Sequence, residues 1–193
     1  MDERTEFGYR RTSCACHNCR LNCEVMPGFL IPADLGRMIP KECGKCRRPM
    51  KGTTTWDGAC DCGGLIRNVD EYIWAEQNLL ASPGALVISE GKFRRIPTLV
   101  PATKEDGSCI HLTSEGNCDI HAVAPFGCAF FDCGEEPEGL AHTALHAVMM
   151  EWGNTFSLYR ALWIHLAYKE KLQLPAEDLR AIMRDRLEEH ERI

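Results

Sequence analysis

The sequence predicts an α+β protein: an irregular, metal-stabilised cysteine-rich region with a zinc-ribbon-like insertion, followed by a helical C-terminal region. Three observations carry that prediction. All twelve cysteines lie in the first 133 residues, joined by Gly- and Pro-rich connections. Four of them, Cys43, Cys46, Cys60 and Cys62, have the paired spacing of a closed thiolate site. Residues 138–192 carry no cysteine, and their apolar residues recur at helical steps. The expected division is a cysteine-cluster metal-binding domain over 1–137, with the ribbon-like insertion at 41–65, and a helical region over 138–193.

From the N-terminus, "CACHNCRLNC" packs Cys14, Cys16, Cys19 and Cys23 into residues 14–23. The order Cys16-x2-Cys19-x3-Cys23 reverses the C-x3-C-x2-C of a radical-SAM signature, and no barrel-length βα series follows it. Pro32-Ala33-Asp34-Leu35 is a helix start, with proline and an acid in the first turn. The stretch "CGKCRRPMKGTTTWDGACDCGG" reads C-x2-C, thirteen residues, C-x-C. Gly44 and Gly63-Gly64 let backbone amides approach the sulfurs, so two facing knuckles would enclose a tetrahedral structural zinc. A redox C-x-x-C pair would need a helix start in a βαβ setting, and the flanking sequence offers none.

Next, "NVDEYIWAEQNLLASPG" predicts a short helix stopped by Ser82-Pro83-Gly84, and "ALVISEGKFRRIPTLVP" predicts a hairpin with arms on either side of Glu90-Gly91-Lys92. The third cysteine group, Cys109, Cys118, Cys128 and Cys133, is spaced C-x8-C-x9-C-x4-C, too loose for one knuckle. Phe126, Phe130 and Phe131 would shield a site there from water. No internal repeat or low-complexity tract is expected. In the C-terminal region Leu140, Leu145, Val148, Met149, Trp152, Phe156, Tyr159, Leu162, Trp163 and Leu166 mark a largely buried helix, with Gly153-Asn154 as its interruption. Beyond Leu174-Pro175 a second helix is expected, its apolar line running through Leu179, Ile182, Met183 and Leu187.

Composition bounds the function. With 193 residues and 45% hydrophobic content the chain can bury a core, so it does not need the disulfides of a small secreted scaffold. The charged N-terminus lacks the apolar core of a signal peptide, and no run approaches the ~18 apolar residues of a membrane span. A reducing cytoplasmic setting is expected, where clustered cysteines are metal ligands rather than disulfides. Residues 1–67 carry a net charge of +3 and residues 68–193 one of −9, giving −6 for the chain. Such a balance argues against nucleic acid as partner. Arg47, Arg48 and Lys51 make only a small basic patch, beside thiolates that bring negative charge of their own.

The segments "CACHNCRLNCEVMPGFLIPADLGRMI" and "GSCIHLTSEGNCDIHAVAPFGCAFFDC" together resemble the YkgJ-type cysteine-cluster family, the zinc- or iron-chelating CxxCxxCC proteins. Cys16, Cys19 and Cys23 match that family's N-terminal knot and Asp34 its helix start. Cys109 with Leu112, Cys118 with Ile120, and Pro125 with Cys128 and Cys133 match its later elements. The adjacent double cysteine of the knot is missing, and Ala124 and Ala129 stand where family members commonly carry arginine. The Cys43–Cys62 knuckles have no counterpart there, which suits an insertion. The resemblance implies that Cys16, Cys19, Cys23, Cys109, Cys118, Cys128 and Cys133 hold a cofactor of zinc or iron. A similar cysteine region in flagellin lysine methylases is associated with a [4Fe-4S] cluster, which tips the expectation toward iron–sulfur.

Histidines are secondary candidates. His17 and His121 lie inside cysteine groups, and His111 is close to Cys109. His142 and His146, four apart with Glu151 beyond, would share a helix face but lack an evident third ligand. No Ser-His-Asp set, phosphate-cradling glycine loop or carboxylate pair stands out. Three function classes follow: a zinc and iron–sulfur protein in redox chemistry or maturation, a zinc-stabilised module that binds another protein or peptide, and an enzyme modifying a protein or peptide.

Overall fold

The computed structural model describes residues 23–25, 27–47, 49–50, 60–89, 92–130 and 140–172. The fold is α+β: helices joined to two small antiparallel sheets. Helix α1 spans Pro32–Met38, with Pro32 in its first turn and Asp34, Leu35 and Met38 on its buried face. The Asp34 carboxylate accepts the Ile31 N–H at 2.8 Å, pairing a backbone group that the helix start leaves without an intrahelical partner.

Strands β1 (Lys41–Cys43), β2 (Pro49–Met50) and β3 (Ile66–Asn68) form the first sheet, in the order β2-β1-β3. Its register sets Glu42 opposite Pro49 on one side and Arg67 on the other. Glu42 pairs with Arg47 and with Arg67, whose Nη2 lies 2.9 Å away.

Helix α2 (Glu71–Asn78) starts on Asp70, whose side chain accepts the N–H groups of Tyr72 and Ile73. It ends four residues before the Ser82-Pro83-Gly84 stop read from the sequence. Leu79 already begins β4 (Leu79–Ser89), which pairs antiparallel with β5 (Lys92–Pro101) from Leu79↔Pro101 to Ser89↔Lys92. Leu79 and Ala81 are buried and Leu80 less so, a period-two pattern that the sheet rewards over another helical turn. Ser82-Pro83-Gly84 instead makes a β-bulge between Ser82 and Ala85. Proline has no N–H to give to a ladder. Gly84, at φ +109°, lies so close to β5 that a Cβ would fall 1.9 Å from the Ile96 carbonyl oxygen.

A pair of tight turns over 103–121 leads into a 3-10 turn at His121–Val123 and the short helix α3 (Phe126–Ala129). Helices α4 (Leu140–Trp152) and α5 (Leu158–Lys169) follow, with Gly153 and Asn154 between them. The helix expected after Pro175 lies outside the described residues.

Residues on both sides of position 137 share one core, among them Leu30, Leu79, Ile96, Leu99, Phe126, Val148 and Leu162. Two tryptophans bind the C-terminal helices to the hairpin. Trp152 donates its indole N–H to the Pro97 carbonyl at 3.2 Å and Trp163 to the Ser82 carbonyl at 2.9 Å, and their rings meet edge-on at 5.2 Å. Each indole nitrogen thus finds an acceptor inside the apolar layer that buries its ring. No helix among the described residues is long and apolar enough to cross a membrane.

Candidate metal centre

Cys43 closes β1, and the chain turns at once so that Cys46 faces back toward it. Arg47 follows with φ +57°, the left-handed conformation usually left to glycine, and its N–H bonds the Cys43 carbonyl at 2.9 Å. The opposite knuckle repeats the device: Gly63, just after Cys62, has φ +75°, and its N–H bonds the Cys60 carbonyl at 2.6 Å. Gly44 of the first knuckle donates to the Leu65 carbonyl across from it, and within the second knuckle Cys60 donates to Gly64, each at 2.9 Å.

The result brings the four sulfurs of Cys43, Cys46, Cys60 and Cys62 within 4.8 Å of one another. Cys43 Sγ and Cys62 Sγ are 3.4 Å apart, Cys46 Sγ and Cys60 Sγ 3.7 Å. A disulfide would hold its sulfurs at about 2.05 Å, so these are four separate thiols. A tetrahedron with metal–sulfur bonds of about 2.3 Å has edges of about 3.8 Å. The cluster therefore has the dimensions of a single-ion site, whereas an iron–sulfur cubane places several metal atoms between its thiolates and spreads them further.

Amides prepare the sulfurs for negative charge. The N–H groups of Cys46 and Lys45 both reach Cys43 Sγ at 3.4 Å and hold its thiol down at about 6. Cys62 also receives an amide, from Gly64, but the hydrogen bond it donates to the Cys43 sulfur, burial, and its contacts with Cys60 and Cys46 together push it up to about 12. A cation would let all four ionise together. Gly64 has to be small: a Cβ there would sit 2.5 Å from Cys43 Sγ and 2.7 Å from Lys45 Cβ.

The other cysteines are divided. Cys14, Cys16, Cys19 and Cys133, with His17 and Phe131, lie outside the described residues. Cys23, Cys109, Cys118 and Cys128 are described, Cys109 buried and the other three half-buried.

Cys109 and Cys118 occupy equivalent places in a nine-residue structural repeat. In the first unit Lys104 N–H bonds the Ser108 carbonyl, Gly107 the Lys104 carbonyl, Ile110 the Ala102 carbonyl and Leu112 the Cys109 carbonyl. The second unit repeats every bond nine residues on: Thr113 to Asn117, Gly116 to Thr113, Asp119 to His111 and His121 to Cys118. The bridges Thr103↔Cys109 and Leu112↔Cys118 match as well, and Gly107 and Gly116 both have positive φ, +87° and +76°. This corrects the expectation that the chain has no internal repeat. The signal is present as "DGSC" and "EGNC", too short to stand out by residue identity when only Gly and Cys are held in common.

Cys128 comes from α3 and is positioned by backbone contact. Its Sγ accepts the Gly28 N–H at 3.2 Å, and Gly127 N–H bonds the Phe29 carbonyl at 2.9 Å. Gly28 and Gly127 touch so closely that a Cβ on Gly28 would lie 2.2 Å from the Gly127 carbonyl carbon. Burial pushes the Cys128 thiol well above the ordinary range against the pull of the Gly28 N–H, and the nearby thiols of Cys23, Cys109 and Cys118 push the same way. Cys109 is also raised, by burial first, with Cys118 and Asp119 adding to it. Cys23 is tied to the first turn through its carbonyl, which accepts the Cys109 N–H at 2.7 Å. Phe126 and Phe130, which flank Cys128, lie with ring centroids 4.9 Å apart in the core.

The remaining candidates separate clearly. His111 Nδ1 lies 3.0 Å from Asp119 Oδ1, His121 opens the 3-10 turn after Cys118, and His146 is exposed on α4. Ala124 and Ala129 are only 2% and 1% exposed. A guanidinium there would be a buried charge in this packing. No protein-family model, no curated protein and no solved structure matches the chain.

Proposed function

We propose that this chain is a cytoplasmic metal-binding protein with two cysteine centres, one structural and one available for chemistry. The observation that carries the reading is the convergence of four sulfurs at Cys43, Cys46, Cys60 and Cys62 within 4.8 Å. All four ligand positions belong to the protein, so the centre would bind a zinc ion with no open site and stabilise a zinc-ribbon-like unit.

The second centre in this reading draws on Cys16, Cys19, Cys23, Cys109, Cys118, Cys128 and Cys133, with Cys14 nearby in sequence. It would hold a [4Fe-4S] cluster or another iron or zinc group. The electrostatic proximity of Cys128 to Cys23, Cys109 and Cys118 supports it, as does the apolar packing of Phe126 and Phe130 around the Cys128 segment. Low polarity around such a group is a lever on its reduction potential. Redox chemistry, maturation of another protein or modification of a protein or peptide fits such a centre, in keeping with the YkgJ-type resemblance.

A second reading is a zinc-stabilised module that binds a protein or peptide without catalysis. Exposed apolar side chains on α2 and α5 favour it: Ile73 is 56% exposed, Ile164 47% and Tyr168 87%. Elemental analysis with an absorption spectrum, on protein purified without oxygen, separates the two. Iron and sulfide near four per chain with a broad band near 400 nm, beside one zinc, supports the two-centre reading. Zinc alone without colour supports the module. Cys43→Ser and Cys60→Ser should each remove one zinc, and unchanged zinc content would refute the ribbon.

A further inference from the structure

Two sulfur–sulfur contacts cross the cluster of Cys43, Cys46, Cys60 and Cys62, each joining one knuckle to the other. Cys43 Sγ lies 3.4 Å from Cys62 Sγ, and Cys46 Sγ lies 3.7 Å from Cys60 Sγ. Each contact unites an inner cysteine with an outer one: Cys43 and Cys60 are buried, Cys62 is half-buried and Cys46 is exposed. A disulfide holds its sulfurs at about 2.05 Å, so each pair has to close by roughly 1.5 Å. A link inside the second knuckle would instead have to bridge Cys60 and Cys62 across one residue, in a turn already held by hydrogen bonds from Cys60 to Gly64 and from Gly63 to Cys60.

That arrangement suits stepwise oxidation by a hydroperoxide. An oxidant acts on the cysteine sulfur it can reach, and the sulfenic acid it leaves condenses with a neighbouring thiol to a disulfide. At the outer sulfur of Cys46 or Cys62 the peroxide O–O bond breaks. The sulfur gives up two electrons and gains oxygen as –SOH, and the other oxygen leaves as alcohol or water. The inner partner, Cys60 or Cys43, then attacks that sulfur, and the hydroxyl leaves as water. In total four thiolates, two hydroperoxides and four protons give two disulfides, two alcohols and two waters. A protein whose four donors are bonded in pairs has no thiolate left for a metal ion.

We infer that Cys46 and Cys62 are oxidation sites for hydroperoxides and that Cys60 and Cys43 resolve them, so that disulfides of Cys46 with Cys60 and of Cys43 with Cys62 replace the metal as cross-link. The inference rests on the metal-binding reading of this cluster. Both disulfides join the same two segments as the metal would, so the pairing of β1 with β3, where Cys43 stands opposite Ile66, outlasts release of the ion. A thiol reductant reverses the exchange.

Hydrogen peroxide added to the zinc-loaded, reduced full chain tests it. A chromogenic chelator should read release of at least one zinc per chain, and peptide mapping by mass spectrometry should find Cys43 linked to Cys62 and Cys46 to Cys60. Dimedone present during oxidation should label Cys46 and Cys62 and leave Cys43 and Cys60 unlabelled. The oxidised, metal-free chain should melt at a higher temperature than the reduced, metal-free one, because its cross-links remain. Links within a knuckle, links from these four residues to other cysteines, dimedone on Cys43 or Cys60, or zinc retained through the peroxide treatment would overturn the inference and leave the metal centre standing. A reduced chain that takes up no metal through Cys43, Cys46, Cys60 and Cys62 would overturn both.

Discussion

The carboxylate of Asp34 accepts the backbone N–H of Phe126, ninety-two residues further along the chain, at 2.8 Å. The same oxygen accepts the Ile31 N–H at 2.8 Å, and the other oxygen meets Arg37 Nη2 at 2.5 Å. Asp34 is fully buried. One side chain therefore caps α1, which carries it, and α3, which carries Cys128. The helix start and the distant cysteine segment are two ends of one contact.

Asp34→Ala should lower the unfolding free energy by about 3–5 kcal/mol, because it leaves Arg37 and two amides without their acceptor. Asp34→Asn keeps one carbonyl oxygen and should cost less. Urea denaturation of the metal-loaded protein measures both. Equal and small losses would mean that the contact does not hold α3 in place.

Tyr159 bridges two segments of the core, at Leu30 and Leu99. Its hydroxyl donates to the Leu30 carbonyl at 2.7 Å and accepts the Leu99 N–H at 2.8 Å, while Leu30 N–H bonds the Leu99 carbonyl directly at 2.8 Å. Burial pushes its ionisation far above the ordinary tyrosine range, so the hydroxyl keeps its proton. Tyr159→Phe should cost about 2–4 kcal/mol by leaving two buried backbone groups unpaired. A midpoint in urea equal to that of the parent would show that water takes the place of the hydroxyl.

The two close glycine contacts should act on different centres. Gly64→Ala drives a methyl group onto Cys43 Sγ and should weaken metal binding by Cys43, Cys46, Cys60 and Cys62 by at least 10-fold in a chelator competition. Gly28→Ala drives one into the Gly127 backbone beside Cys128, so it should disturb the proposed second centre and spare the Cys43, Cys46, Cys60 and Cys62 cluster. Identical metal content and affinity in both variants would contradict the placement of these segments.

Glu170 gives a pH signature. Burial raises its carboxyl above 4.5 despite the hydrogen bond from the Ala81 N–H, so the folded chain holds that proton more tightly than the unfolded one. Stability then falls as pH rises from 4.5 through the folded value, and the full penalty is present at neutral pH. It sits just past the C-terminal end of α5, where a negative charge also opposes the helix dipole. Glu170→Gln should therefore be more stable than the parent at pH 7, with the gap closing below pH 4.5. A gap that stays constant with pH would assign the effect to something other than ionisation.

Local signals carried well from the sequence. Pro32 and Asp34 mark the start of α1, Gly153 and Asn154 separate α4 from α5, and the C-x2-C and C-x-C spacings do bring four sulfurs together. Each depends on a few neighbouring residues, or on two knuckles joined by a short sheet. The end of α2 was misread because Ser82-Pro83-Gly84 is a stop signal for a helix and a bulge signal for a strand. Only the partner strand, with Leu79 opposite Pro101, decides between them.

By itself the sequence determined the α+β class and the four-thiol cluster, because both are written in spacings of a few residues, whereas Phe156, read as part of the buried apolar line of the C-terminal region, is 96% exposed between α4 and α5. Only the tertiary structure decided that Cys109 and Cys118 sit on a repeated turn, that Gly28 meets Gly127, that Asp34 caps α3 and that His111 is paired with Asp119. Those relations rest on backbone hydrogen bonds and close approaches between segments distant along the chain, or on a turn whose geometry tolerates almost any side chain. The hydrophobic core that sets those distances is shared by the whole fold, and no short stretch of sequence records it.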